Sequence, residues 1–397
     1  MQVIVAGGGI GGLTAAAVMH RMGIDVRLIE QAAELSEVGA GVQLSPNGIR
    51  VLRFLGLEAA LTERACQPSH YRARDWRTGG TLYTNPLNPA FAEKYGTPYF
   101  HVHRADLLEV LKSAVPQHVL SLGRRVVAID EAGPRAAVLT GNGERFEADA
   151  AIGADGIHSV AREALWGKDA PRFTGNIAWR FTVDAAKIDR SVIPFDACNW
   201  HGPHGHITMY YVSGGRKVNV VAVRETDQWV EENWFLRANA DEVHAAYPNW
   251  HPIIHQLIDK ADFINKWALF DRDPMPHWSR GRFTLIGDAA HPMLPFMAQG
   301  ANMAIEDGYM VAALLAQNPK DIPAALKTYE TMRQPRTARV QLAARERVRS
   351  MHEASGIKRL IRNLRYRFGS AKNNRLLRFN PTWVYEYDAI NEAAKAR

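Results

Sequence analysis

The chain has 397 residues, 47% hydrophobic and 22% charged, with two cysteines and a formal net charge of +7. At about 150 residues per structural unit this length calls for two or three units, and the composition excludes disordered, collagenous and coiled-coil proteins. No stretch of about 18 apolar residues occurs, so no membrane-spanning helix is expected. A strand-like segment from Gln2 to Ala6 leaves no room for a leader peptide, which points to the cytoplasm. Cys66 and Cys198 are too few for a disulfide framework or a thiolate metal site and read as buried or incidental thiols. The charge is uneven: residues 331–380 hold fourteen Lys or Arg against Glu346 and Glu353, which leaves the remainder net acidic. Solvated helix faces are the expected form of this basic segment. Only Tyr366 and Phe368 stand among its charges as stacking partners, so neither nucleic acid nor a membrane is expected as a partner.

The first predicted element is the strand Val3-Ile4-Val5-Ala6. It runs into Gly7-Gly8-Gly9-Ile10-Gly11-Gly12, a helix from Leu13, and a second strand ending in Glu30. Gly7, Gly9 and Gly12 occupy the G-x-G-x-x-G positions, which permit a tight turn, close backbone approach to a pyrophosphate and close helix packing. The helix start supplies free N–H groups, and Glu30 is placed to accept from a ribose hydroxyl. After Gly39-Ala40-Gly41, Ser45 reads as an N-cap with Pro46 in the first turn of the next helix. From about Tyr71 short strands and turns take over, and the chain returns at Phe100 to Asp106 with Arg104 between strand and helix. Gly141-Asn142-Gly143 reads as a hairpin turn. Strand and turn signals dominate again over residues 172–267, and helical periodicity returns from Ala301.

Two further strand ends carry acids. Ile152-Gly153-Ala154-Asp155-Gly156-Ile157-His158-Ser159 puts a carboxylate beside open backbone. Leu285-Ile286-Gly287-Asp288-Ala289-Ala290-His291-Pro292 does the same, and after Pro295 a helix opens at Gln299-Gly300-Ala301-Asn302 with its positive dipole end available to an anion.

Together and in this order, these motifs resemble the single-component FAD-dependent aromatic hydroxylases of the para-hydroxybenzoate hydroxylase class. The resemblance covers nearly the whole chain and is strongest toward the branch acting on 6-hydroxynicotinate, salicylate and 3-hydroxybenzoate. It implies an α/β fold: a Rossmann-like, three-layer ββα FAD-binding domain (residues 1–70, 98–170 and 270–335) interleaved with a mostly antiparallel substrate sheet (71–97 and 171–269), then C-terminal helices (336–397). Glu30 is then expected at the adenosine ribose, Arg104 at the ribityl or pyrophosphate region, and Asp288 on the ribityl chain. Asp155 serves FAD and nicotinamide binding, and Gln43 lies near the flavin. Pro292 and Pro295 shape the loop over the flavin, Gly287 is expected at the cofactor, and Gly300, Ala301 and Asn302 offer N–H groups to the isoalloxazine. With one G-x-G-x-x-G, filled by FAD, the NADH or NADPH visits transiently. The implied reaction adds one oxygen atom from O2 to a hydroxylated aromatic or pyridine carboxylate through a flavin C4a-hydroperoxide, with or without loss of the carboxyl group.

Such a reaction needs a base at the substrate hydroxyl. In Gly205-His206-Ile207-Thr208-Met209-Tyr210-Tyr211, period-two alternation puts His206, Thr208 and Tyr210 on one face. The resemblance implies that His206 and Tyr210 hold the substrate oxygen, and His206, ordinarily titrating near ~6.5, is the natural proton acceptor. Gln299 reads either as a substrate contact or as a helix cap, and His291 as packing support. Arg180, Arg216 and Arg272 are candidates for a carboxylate partner, although a solvated or FAD-domain role suits each better. A metal site at His201, His204 and His206 is the competing reading, and the family uses no metal. Reductases and halogenases share the scaffold, but the halogenases' Trp-x-Trp-x-Ile-Pro segment is absent. A non-catalytic FAD-binding protein with a nucleic-acid- or membrane-binding tail is the remaining alternative. A monomer or homodimer is expected.

Overall fold

The computed structural model describes residues 1–35, 41–190, 193–227, 236–368 and 382–396. Gly39 and Ala40, and the basic residues Lys372, Arg375 and Arg378, lie outside the described residues.

The strand Gln2–Ala6 pairs in parallel with Asp25–Ile29 on one side and with Ala150–Gly153 on the other, and Phe283–Leu285 extends the parallel set. The three strands that carry the predicted motifs are therefore neighbours with their carboxyl ends at one sheet edge, where ligands of open α/β sheets bind. Alternation divides their side chains. Val3, Val5, Val26, Leu28, Ile152 and Leu285 pack against helices, whereas Ile4, Ile29, Ala151 and Phe283 pack on a three-stranded antiparallel sheet formed by Val126–Asp130, Ala136–Thr140 and Arg145–Ala148. This is the expected three-layer ββα arrangement, and Gly141 to Gly143 turn the hairpin between its last two strands.

The first helix, Ile10–Arg21, is buried along nearly its whole length because a second helix, Gly300–Gln317, lies on it. Small residues permit the approach: a Cβ on Gly308 would stand 2.8 Å from Ala15 N, and one on Gly11 would stand 3.3 Å from the Ala304 Cβ. The two helices that start at the strand ends are thus locked side by side, with both amino termini beside the same sheet edge.

Among the described residues the second sheet has eight strands, ordered Leu236–Ala238, Ile264–Asp271, Arg172–Asp184, Lys217–Glu225, Gly205–Val212, Ala197–Gly202, His70–Asp75 and Thr81–Pro86. All pairings are antiparallel except that of Ala197–Gly202 with His70–Asp75. On Gly205–Val212 the residues Ile207, Met209 and Tyr211 enter a core under two short helices, and His206, Thr208 and Tyr210 take the opposite face.

The long helix Ile322–Met351 corrects the reading of the basic segment. Arg333 is fully buried and Arg336 nearly so, each paired with acids of Gly300–Gln317, and Arg345 pairs with Asp271 and Asp273. These are internal ion pairs, not solvated charges. The next helix, Gly356–Phe368, departs from the expectation too. Arg359 and Tyr366 lie against Trp76 and Tyr83 of the body, whereas Ile357, Leu360, Ile361 and Leu364 are exposed. Among the described residues no helix is long and apolar enough to cross a membrane.

Candidate active site

A cavity of about 380 Å³ lies between the two sheets. Gly9, Gln43, Arg104, Tyr210, Gly287, Asp288, Pro295, Gly300 and Ala301 line one end, and His206, Thr208, Trp267, Leu269 and Arg347 line the other.

At the first end, the amino termini of both buried helices lack internal partners. The first helical bonds are Leu13 N to Gly9 O and Met303 N to Gln299 O, so the N–H groups of Ile10 to Gly12 and of Gly300 to Asn302 precede any carbonyl of their own helix. A Cβ on Gly12 would fall 1.9 Å from Gly7 O, and Gly7 itself has φ +116°, so both glycines are required by the turn. At Gly9 a Cβ would meet nothing within 4 Å, which leaves room for a ligand beside bare backbone. Glu30 accepts from Gly8 N at 2.6 Å and Ala32 N at 2.8 Å, and so holds the turn from the end of the second strand. Asp155 Oδ2 accepts from Val160 N at 2.7 Å and Ala161 N at 3.3 Å, and burial raises its pKa against these bonds. Asp288 is reachable from the cavity yet enclosed by protein, and this enclosure raises its carboxyl against the opposing charges of His291 and Arg104.

Asn302 is the stitch between the two halves of this cradle. Its Oδ1 accepts from Ser45 N at 3.0 Å, and its Nδ2 donates to Gln43 O and Ala298 O. Ser45 stands at the N-cap position as expected, with Pro46 next, but its hydroxyl serves Asn47 and Gln299 and makes no side-chain cap. Gln299 is buried with both ends of its amide taken, by Ser45 Oγ at 3.0 Å and Asn47 Nδ2 at 3.1 Å. Glu30, Asp155, Gly7, Gly12 and Asn302 stand behind the cavity wall, and the remaining predicted cofactor residues form it. Donors at two helix ends, an open glycine and an enclosed acid suited to sugar hydroxyls fit an extended dinucleotide. FAD, when bound here, supplies the electron transfer and the activation of oxygen.

At the other end, His206 is buried, with Nδ1 2.7 Å from His352 Nε2 and its ring beside Phe296. Burial foremost, then the neighbouring His352, His201 and Arg347, keeps its pKa well below 6.5, so it is a neutral imidazole at pH 7. This departs from the ordinary value expected of it. Tyr210 lies instead against His101, at 4.5 Å between rings, and near Gly41 and Gln43, and burial pushes its phenol up to about 12. The two side chains therefore have separate surroundings. Arg180 also lines the cavity, its guanidinium stacked on Trp267 at 4.2 Å, whereas Arg272 is paired with Asp169 and Arg216 is not part of the wall. Arg347, which sequence reasoning passed over, enters the wall and donates to Tyr71 Oη at 3.2 Å. His201 and His206 are cross-strand partners, but His204 sits in the turn and pairs with Glu225. Among the described residues no group of three His, Cys, Asp or Glu could hold a metal. Cys66 and Cys198 are buried thiols, each raised to about 11 by burial.

Beneath the cradle lies a network that sequence reasoning also missed. His291 Nε2 is 2.5 Å from Asp307 Oδ2, which also accepts from Gly287 N. Asn47 Nδ2 donates to Glu306 Oε1 at 2.7 Å, and Arg333 reaches both acids. The signal was present: two adjacent acids within the apolar run Met303-Ala304-Ile305-Glu306-Asp307-Gly308-Tyr309-Met310 demand buried partners.

A dinucleotide cradle that opens directly onto an apolar-walled, ring-sized cavity is the arrangement of a flavin-dependent oxidoreductase. The chain belongs to the FAD binding domain family, whose model matches residues 1–344. It is 39% identical over 362 residues to 3-amino-4-hydroxybenzoate 2-monooxygenase of Streptomyces platensis, 91% of each chain. It is 35% identical over 395 residues to 6-hydroxynicotinate 3-monooxygenase of Pseudomonas fluorescens, covering 98% of this chain and 96% of that one. A salicylate hydroxylase substrate complex superposes on 100% of this chain and 98% of its own, with a TM-score of 0.83 at 28% identity. The protein is a flavoprotein monooxygenase.

Proposed function

We propose that the protein hydroxylates a small aromatic or pyridine ring bearing both a carboxylate and a ring hydroxyl, using O2 and NADH or NADPH. One observation carries this reading: a neutral buried imidazole, His206, and a guanidinium, Arg347, line the same cavity whose far end is the flavin cradle. The ring lies among Phe296, Leu269 and Met351. Arg347, beside Tyr71, takes the carboxylate through charge-assisted hydrogen bonds. His206 accepts the hydroxyl proton and so raises electron density on the ring carbon that receives oxygen.

Tyr210 has a different task. Four residues along an extended strand separate it from His206 by roughly 13 Å at Cα, and its surroundings are Gln43 and Gly41 on the cofactor side. It orders the ring edge nearest the flavin. Asp155 and Asp288 serve the cofactor, and NADH or NADPH visits without a binding domain of its own. The relatives named for 3-amino-4-hydroxybenzoate and 6-hydroxynicotinate support a substrate with these two groups.

The test is aerobic NADH and NADPH oxidation by the FAD-loaded protein with 6-hydroxynicotinate, salicylate, 3-hydroxybenzoate and 3-amino-4-hydroxybenzoate under 18O2. Stimulated oxidation with one labelled oxygen in the product is expected for at least one of them. Oxidation without labelled product for all four would refute the assignment of substrate class.

A further inference from the structure

Four ionisable groups stand in a row from the cavity to the surface. His206 Nδ1 is 2.7 Å from His352 Nε2, His352 Nδ1 is 3.1 Å from Glu225 Oε1, and Glu225 Oε2 is 2.8 Å from His204 Nδ1. The first two are buried, whereas Glu225 and His204 have side chains 42% and 54% exposed. Backbone bonds hold the outer end together: His204 N donates to His352 O and Glu225 N to His204 O.

The polarity of the row can be worked inward from its acid. Bonds to His352 and His204, acting against partial burial, pull Glu225 down to about 2, so it is an acceptor. His352 Nδ1 must then carry the hydrogen. Burial keeps His352 neutral, which leaves its Nε2 as a lone-pair acceptor for His206 Nδ1–H. The remaining nitrogen of His206, Nε2, is therefore the one with a lone pair for a substrate in the cavity that His206 lines. His352 is also the C-cap of the long helix Ile322–Met351, and the negative end of a helix dipole stabilises a passing imidazolium. The other charged groups near the row are Arg347 and His201 beside His206, and Arg224 beside His352.

We infer that His352 and Glu225 form a proton path that carries the substrate hydroxyl's proton from His206 to solvent, with His204 holding Glu225 at its outer end and His352 and Glu225 as its positioning residues. This rests on the assignment of His206 as the base. The substrate O–H breaks as N–H forms at His206 Nε2. The Nδ1 proton of His206 passes to His352 Nε2, that of His352 Nδ1 to Glu225, and one proton leaves to water. Reprotonation of the product oxygen runs the row in reverse and restores both starting tautomers.

The experiment compares His352→Gln and Glu225→Gln with His206→Gln, measuring FAD content, KM and kcat across pH 6–9. In parallel, 15N-histidine NMR of the FAD-loaded wild type reads the tautomers. Expected are Nδ1–H tautomers at both buried histidines. Both path variants should retain FAD and a KM within about threefold, with kcat at pH 7 lowered at least about 10-fold, within the roughly 10²- to 10⁴-fold that positioned proton transfer contributes, and recovering at high pH. Wild-type kcat and pH profile in both variants, with His206→Gln inactive, would overturn the path and leave the base intact. Full activity of His206→Gln would remove the base and the path together. A pH-independent loss, loss of FAD, or Nε2–H tautomers would mark the row as structural only and overturn it.

Discussion

Arg336 grips Glu306 with two prongs, Nε to Oε2 at 2.8 Å and Nη2 to Oε1 at 2.7 Å, inside the helix whose first turn faces the flavin cradle. Through Asn47, Gly287 and His291 the same network reaches the helix that follows Ser45 and the turn after the strand Phe283–Leu285. The basic C-terminal helix thus ties the turn at residues 287–291 and the helix that follows Ser45 to Gly300–Gln317, two arginines against two acids.

Removing one partner of a buried pair strands the other charge, which typically costs about 3 to 5 kcal/mol. Glu306→Gln is expected to lower stability to urea by about that amount and to weaken FAD retention. Exposed Glu346→Gln on the neighbouring helix should change stability by less than about 0.5 kcal/mol. Equal midpoints for the two variants would show that the network is not required.

Asp307 gives the network an acid limit. Against the burial that would raise it, His291 and Arg333 hold its carboxyl at about 2 instead of 3.8. A depressed carboxyl contributes stability that is complete above its unfolded value and lost as pH falls through its folded one. Its contribution, about 2 kcal/mol, should therefore disappear between about pH 4 and pH 2. Urea midpoints of wild type and Asp307→Asn should converge over that window, and a constant gap would contradict the assignment.

Two glycines of the first turn have separable duties. A Cβ on Gly12 collides with Gly7 O at 1.9 Å, whereas one on Gly9 meets only the space where a ligand fits. Gly12→Ala is expected to lose both FAD and thermal stability. Gly9→Ala should keep the melting temperature of the apoprotein while losing at least tenfold in FAD affinity, read by flavin absorbance per protein.

The strand ends at Gly7, Gly153 and Gly287 were legible because each motif is local: the apolar run, the turn glycine and the acid lie within a few residues. Alternation likewise told the two faces of Gly205–Val212 apart. What could not be read was tertiary. Arg333, Arg336 and Arg347 belong to a charge run that looks solvated until an opposing helix supplies Glu306 and Asp307 or a sheet supplies Tyr71. His352 meets His206 across 146 residues of sequence, and nothing local to either predicts that distance. Gly356–Phe368 reads by charge as a solvated basic face, yet Arg359 and Tyr366 lie against Trp76 and Tyr83 and its apolar residues are exposed.

Arg347 is the proposed carboxylate anchor, and a hydrogen bond to a charged group contributes about 1.5 to 3 kcal/mol. Arg347→Met should therefore raise KM for a carboxylate substrate roughly 10- to 100-fold, with little change for the matching carboxamide. Arg180→Met is the contrast, since its guanidinium is stacked on Trp267. A KM increase confined to the Arg180 variant would transfer the role to that residue.

His206 sets the acid limb of activity. Its pKa is held well below 6.5 by burial first and then by His352, His201 and Arg347, so the free base persists below the pH at which an ordinary histidine is half protonated. The limb of kcat/KM should accordingly fall below pH 6.5, with activity at pH 6 close to that at pH 7. The same group makes the fold acid-sensitive: unfolding lets it take a proton below 6.5, so its contribution to stability is present above that pH and declines beneath it. Removing the Arg347 charge relieves part of the depression, and Arg347→Met should move the limb to higher pH. A limb at or above 6.5 in the wild type, or one that moves downward in the variant, would show that another group governs the reaction.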